Sequence, residues 1–144
     1  MRNQQSGFSL VELLIVVAVI GIIAAIAIPG LIQVQRRSRE GSAMACLRAY
    51  TSAQYSFNAT RGRYKRYGTQ AELAAGYMDP VFMTTGVRNQ YVFTFALSGD
   101  LSSFTCTADP QTVTSGETHY FTDTSGIIRF EDGMPATVAS QPLG

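Results

Sequence analysis

Glu12 is the only charged residue between Phe8 and Ile28, and its neighbours in that run are apolar except for Ser9 and Gly21. A carboxylate inside so apolar a segment is expensive to bury, so it marks a functional position and needs an opposite charge to meet. The residues just ahead can supply one. Positions 1 to 7, MRNQQSG, are short and polar, with one cation, Arg2, and they end in Gly7 before Phe8. A possible processing point lies before the run, and a chain cut there would carry a new terminal ammonium in or beside the apolar phase. Two buried charges of opposite sign from adjacent chains neutralise each other, whereas each alone bears its full desolvation. Such a pair favours one stagger between helices more than it adds raw stability. The competing reading is an interfacial acid, about one turn from the helix start, reaching toward headgroups.

Other reactive side chains are few. Cys46 and Cys106 cannot hold zinc, because His119 is the only histidine and a structural site wants four ligands. In an oxidising compartment the two cysteines are candidates for a disulfide. Closing a loop of about 60 residues would stabilise by roughly 4 kcal/mol in the chain-entropy model. Two buried free thiols are the alternative. His119 stands on a short predicted strand without a nucleophile motif such as G-x-S-x-G. No phosphate-cradling loop, dinucleotide fingerprint or metal cluster occurs, so no enzyme, cofactor or metal is expected. Residues 61 to 68, RGRYKRYG, place Arg61, Arg63, Lys65 and Arg66 among tyrosines. That pattern is a candidate anion or nucleic-acid patch, weighed against a solvated connector. Asp123, Glu131 and Asp132 lack the ordered alternating oxygens of a calcium loop, and a hairpin turn explains Asp123 to Gly126 better.

The elements that position these residues follow from periodicity. The apolar run from Phe8 to Ile28 is about 30 Å long as a helix, the thickness of a hydrocarbon core. Gly21 and Pro29 punctuate it, and a kink near residues 25 to 29 is expected. Beyond Pro29 the helix turns amphipathic. Ala43, Cys46, Leu47, Tyr50, Ala53 and Phe57 recur at three- and four-residue steps, one apolar stripe in a helix reaching about Ala59. Asn58-Ala59-Thr60 is formally a glycosylation sequon and carries little weight. Thr69 to Glu72 reads as a capping box opening a short helix through Ala75, stopped by Gly76. Strands are expected at Tyr91–Leu97, 101–108, Thr118–Thr122 and Ile127–Glu131, with a connector at 110–116 and a loose tail at 133–144 that packs on the sheet edge. Cys106 shares a strand face with Phe104 and Cys46 lies on the helix stripe, so both cysteines point toward one predicted core.

The run Gly7, Phe8, Ser9, Leu10, Val11, Glu12, Leu13, Leu14, with Gly21 and Pro29 beyond, resembles the type IV prepilins and related pseudopilins. The match covers about the first thirty residues. The resemblance implies that a membrane peptidase cuts after Gly7 and methylates the amine of Phe8. It implies that Glu12 pairs with the terminal amine of a neighbouring subunit, and that residues 21 to 29 lose helicity when subunits pack. Implied partners are copies of the chain or related pilins, the prepilin peptidase and an assembly platform in the inner membrane. The familiar C-terminal disulfide loop of many pilins has no counterpart, since no cysteine follows Cys106.

Of 144 residues, 46% are hydrophobic, enough for one membrane helix and one small further domain. The expected organisation is a leader at 1–7, a membrane-spanning and assembly half of the helix at 8–30, and a globular domain at 31–144. Lys plus Arg number 11 against 10 acids, and removing Arg2 with the leader leaves ten against ten. A balanced chain suits packing against itself and argues against nucleic acid as a general partner. Arg36, Arg37 and Arg39 follow the apolar run, and by charge alone that end would lie in the cytoplasm; the resemblance implies the opposite orientation. The expected fold is α+β, a long N-terminal helix laid by its second half on a four-stranded antiparallel sheet. The expected function is a subunit of a type IV pilus or pilus-like filament, held in the inner membrane by a single span before assembly. The alternatives are a pseudopilin of a type II secretion system and an anchored binding module that never polymerises.

Overall fold

The computed structural model describes residues 7–112 and 118–143. The leader positions 1–6 and part of the expected connector, 113–117, lie outside the described residues. Helix α1 runs Leu10–Thr60, α2 Gln70–Ala74 and α3 Pro80–Thr85. The strands are β1 Val87–Arg88, β2 Tyr91–Leu97, β3 Phe104–Pro110, β4 Thr118–Asp123, β5 Ile128–Asp132 and β6 Gln141–Pro142. They pair in chain order, β1-β2-β3-β4-β5-β6, each antiparallel to the last. The fold is α+β as expected, but the sheet has six strands, not four. The two additional strands, β1 and β6, are two residues each and sit at the edges. Strands so short have no alternation to read, and Pro142 fits an edge because it needs no ladder donor there.

The chain divides into two units, Met1–Arg36 and Arg37–Gly144. In the first, α1 continues through Gly21 and Pro29. Neither residue interrupts the helix, the kind of segment a bilayer accepts because a helix pairs its own backbone groups. This is the one helix, among the described residues, long and apolar enough to cross a membrane.

In the second unit, the helix stripe is buried as its spacing predicts. Ala43, Cys46, Leu47, Tyr50, Ala53 and Phe57 are all inside, joined by Thr51 and Gln54. They meet Phe93, Phe104, Cys106, Ala108, Tyr120 and Ile128, which share one face of the sheet by the strand register. Burying each large apolar side chain contributes about 1.5–3 kcal/mol. Rings order the contact: Tyr50 lies 4.9 Å from Phe95 and edge-on to Phe104 at 5.6 Å. Thr69 and Glu72 form the expected capping box on α2. Helix α3 is an addition to the sequence reading. Asp79 caps it, Pro80 opens it and Gly86, at φ 63°, ends it in the left-handed region.

Candidate assembly site and charged surfaces

At the start of α1, two side chains satisfy backbone donors that the helix leaves open. Val11 N–H donates to Ser9 Oγ at 3.2 Å, and Ser9 N–H donates to Glu12 Oε2 at 3.0 Å. Ser9 and Glu12 thus make one half of a capping box, Glu12 reaching back to the Ser9 N–H while Ser9 Oγ takes the Val11 N–H instead of that of Glu12. This partner of Glu12 escaped the sequence reading, although S-x-x-E before an apolar run is its signal. Among the described residues, the donor that meets Glu12 is this neutral local one, at Oε2. Phe8 is 81% exposed, and nearly every residue from Leu10 to Val34 is exposed too. Gly7 and Phe8 lie ahead of the helix, outside regular structure.

Cys46 and Cys106 both belong to the buried core, on the helix stripe and the sheet face that were expected to meet. They are free thiols in this structure and pack as small apolar side chains. Burial pushes the Cys106 thiol well above its ordinary range, so it stays protonated.

The basic segment after α1 divides. Arg66 is engaged: its guanidinium makes a two-pronged contact with Glu72 at 2.7 and 2.9 Å and lies 5.1 Å over the Phe57 ring. That contact, with the hydrogen bonds from Thr69, holds the Glu72 carboxyl down at about 2. Arg61, Arg63 and Lys65 are exposed. The turn that carries them is tied down by Gly62 N–H to Phe57 O at 2.8 Å, Tyr64 N–H to Asn58 O at 2.8 Å and Asn58 Nδ2 to Arg66 O at 3.0 Å. A Cβ on Gly62 would overlap the Arg66 carbonyl oxygen, so only glycine fits. Gly68 is clamped by Gln54, which is fully buried: Nε2 donates to Gly68 O, and Oε1 accepts from Gly68 N–H.

His119 is buried, with Nδ1 2.6 Å from Asp109 Oδ1. The Asp109 partnership is set by the β3–β4 register, which a sequence alone does not display. Asp123 accepts from Ser125 N–H at 2.8 Å, and Gly126 closes the turn at φ 73°. Asp132 lies at the other end of the β4–β5 hairpin, opposite Thr118. Asp123, Glu131 and Asp132 therefore do not converge, and no group of three metal-capable side chains gathers among the described residues. Tyr120, opposite Phe130, is pushed up to about 12 by burial and by the nearby Glu40 and Asp132 carboxylates.

Residues 2–28 match the family model described as the prokaryotic N-terminal methylation motif. The chain is 44% identical to the type IV major pilin protein PilA of Myxococcus xanthus, over 52% of this chain and 40% of the relative. It is 32% identical to the type IV major pilin protein PilE1 of Neisseria gonorrhoeae, over 52% of this chain and 46% of that one. A fimbrial protein of Neisseria meningitidis is 30% identical, over 60% and 55%. No solved structure matches significantly. In this motif and in the stretch it shares with these relatives, the chain is similar to type IV prepilins and pilins, and its apolar helix leading into an antiparallel sheet agrees with that likeness. The chain spans about half the length of the curated relatives it matches.

Proposed function

We propose that this chain is a structural subunit of a type IV pilus, anchored in the inner membrane by the first part of α1 and then polymerised through it. The observation that carries this is one acid, Glu12, in an exposed apolar helix and within the methylation-motif match at residues 2–28. On this reading the leader 1–7 is removed after Gly7 by the prepilin peptidase, and Phe8 becomes the methylated terminus. Its ammonium then meets Glu12 of a neighbouring copy. Glu12 already accepts from its own Ser9 N–H, so the incoming ammonium adds charge–charge pairing to a carboxylate held in place. Gly21 and Pro29 mark where helicity would be released once sister helices, rather than lipid, surround the backbone. The role is structural: residues of this chain are modified, and none is assigned a catalytic step. The assembly platform is the remaining partner.

The test is Glu12→Ala in cells. Insertion and processing of the subunit persist while surface fibres disappear. Normal fibre numbers from that variant refute the pairing.

A further inference from the structure

The Arg37–Gly144 unit carries unlike charges at its two ends. Along α1, Glu40 and Thr60 are about 30 Å apart at about 1.5 Å per residue. At the Glu40 end, Thr118 Oγ1 lies 2.8 Å from an Asp132 oxygen, to which it donates, and 3.3 Å from Glu40. Glu131 pairs across the sheet with His119, which holds Asp109. Glu40 and Asp132 thus lie on the helix-facing side of this end and Glu131 and Asp109 on the other, with Arg37 and Arg39 on the adjoining turn of α1. At the Thr60 end stand Arg61, Arg63 and Lys65, and Tyr67 N–H to Leu101 O at 2.9 Å ties that loop to the turn after β2. Asp100 and Asp123 share this end, but each is folded onto serines of its own turn.

The basic loop is built rather than slack. Arg63 and Tyr64 sit at φ 49° and 60°, a left-handed backbone uncommon for such residues and held by the hydrogen bonds and ion pair around it. Arg61, Arg63 and Lys65 make no ion pair among the described residues, and Tyr64 is 79% exposed. A loop ordered in advance loses less freedom on docking.

We propose that Arg61, Arg63 and Lys65 dock on the Glu131 and Asp132 end of a second copy of this chain. The inference rests on the filament reading and names a contact within it. Charge complementarity selects the occupant: the loop's excess of cations meets an acidic end that the same chain provides. Because the two ends differ, the contact is head to tail, and in the open helical arrangement of the filament reading it propagates from copy to copy. A nucleic-acid strand fits less well. Of the tyrosines in this loop only Tyr64 offers an open ring, since Tyr67 packs edge-on against Phe104 at 4.8 Å.

The experiment uses the full chain in cells, measuring sheared fibre yield against processed subunit in the membrane. Reversing the loop (Arg61→Glu, Arg63→Glu, Lys65→Glu) lowers fibre yield about tenfold by facing like charges, with processed subunit unchanged. Adding Glu131→Lys to that chain restores much of the yield. A neutral loop (Arg63→Gln, Lys65→Gln) falls between, and raised salt loosens wild-type fibres. Equal fibres from the wild-type and reversed chains overturn this contact, as does failure of Glu131→Lys to restore them. Equal fibres that lose retention of added DNA instead assign the loop to a polyanion and also overturn it. No fibres from the wild-type chain would sink the filament reading itself, which separates that failure from this one.

Discussion

Gln54 joins the helix to the loop that follows it, and replacing it should measure that junction directly. The side chain is fully buried and makes three hydrogen bonds: Nε2 donates to Tyr50 Oη at 2.9 Å and to Gly68 O at 3.0 Å, while Oε1 accepts from Gly68 N–H at 2.8 Å. Gly68 has no room to move inward, because a Cβ there would sit 2.9 Å from the Phe57 ring. Gln54→Met keeps most of the volume but leaves both backbone groups of Gly68 and the Tyr50 hydroxyl without their partner. A buried group so orphaned costs about 1–3 kcal/mol, and three sharing one site do not add fully. The expected loss is therefore about 2–4 kcal/mol. Gln54→Ala adds a cavity and should lose about 3–5 kcal/mol. Either is a large fraction of a domain stability of about 5–15 kcal/mol. Denaturant unfolding of the detergent-solubilised chain, followed by tyrosine fluorescence and circular dichroism, reads the difference. A loss below about 1 kcal/mol for Gln54→Met would refute the clamp.

Two further outcomes follow from the charges and thiols. Glu72 has a folded pKa of about 2 against 4.5 ordinarily, so its stabilising contribution is present above pH 4.5 and lost as pH falls toward 2; Glu72→Gln should flatten that part of an acid titration of unfolding, and an unchanged slope contradicts the pairing with Arg66. Cys46 and Cys106 should both resist alkylation while the chain is folded and yield two reactive thiols on unfolding without reductant; none released would show a bridge between them.

How much of this was legible in the sequence depended on the range of the interaction. The long helix, its buried stripe and the four longer strands announced themselves through period, because the apolar face repeats locally. The Thr69–Glu72 capping box needs four residues and was visible. Ser9 and Glu12 have the same spacing, but the apolar surroundings of Glu12 drew attention to a distant partner over the near one. The α3 signals, Asp79-Pro80 at its start and Gly86 at its end, were equally local and were not read. The remainder is tertiary. Neither the pairing of Arg66 with Glu72 and Phe57, nor that of Asp109 with His119, follows until loop path and strand register are set. The two-residue edge strands owe their existence to the neighbours they pair with.

On the proposed function, the chain is cut and modified at Phe8 so that its terminal amine can serve the Glu12 of another copy. Mass spectrometry of the N-terminal peptide from surface fibres sheared off cells tests it most directly. The account predicts a peptide that begins at Phe8 and carries one added methyl group on its amine. A peptide that still begins at Met1, with residues 1–7 attached, would contradict it.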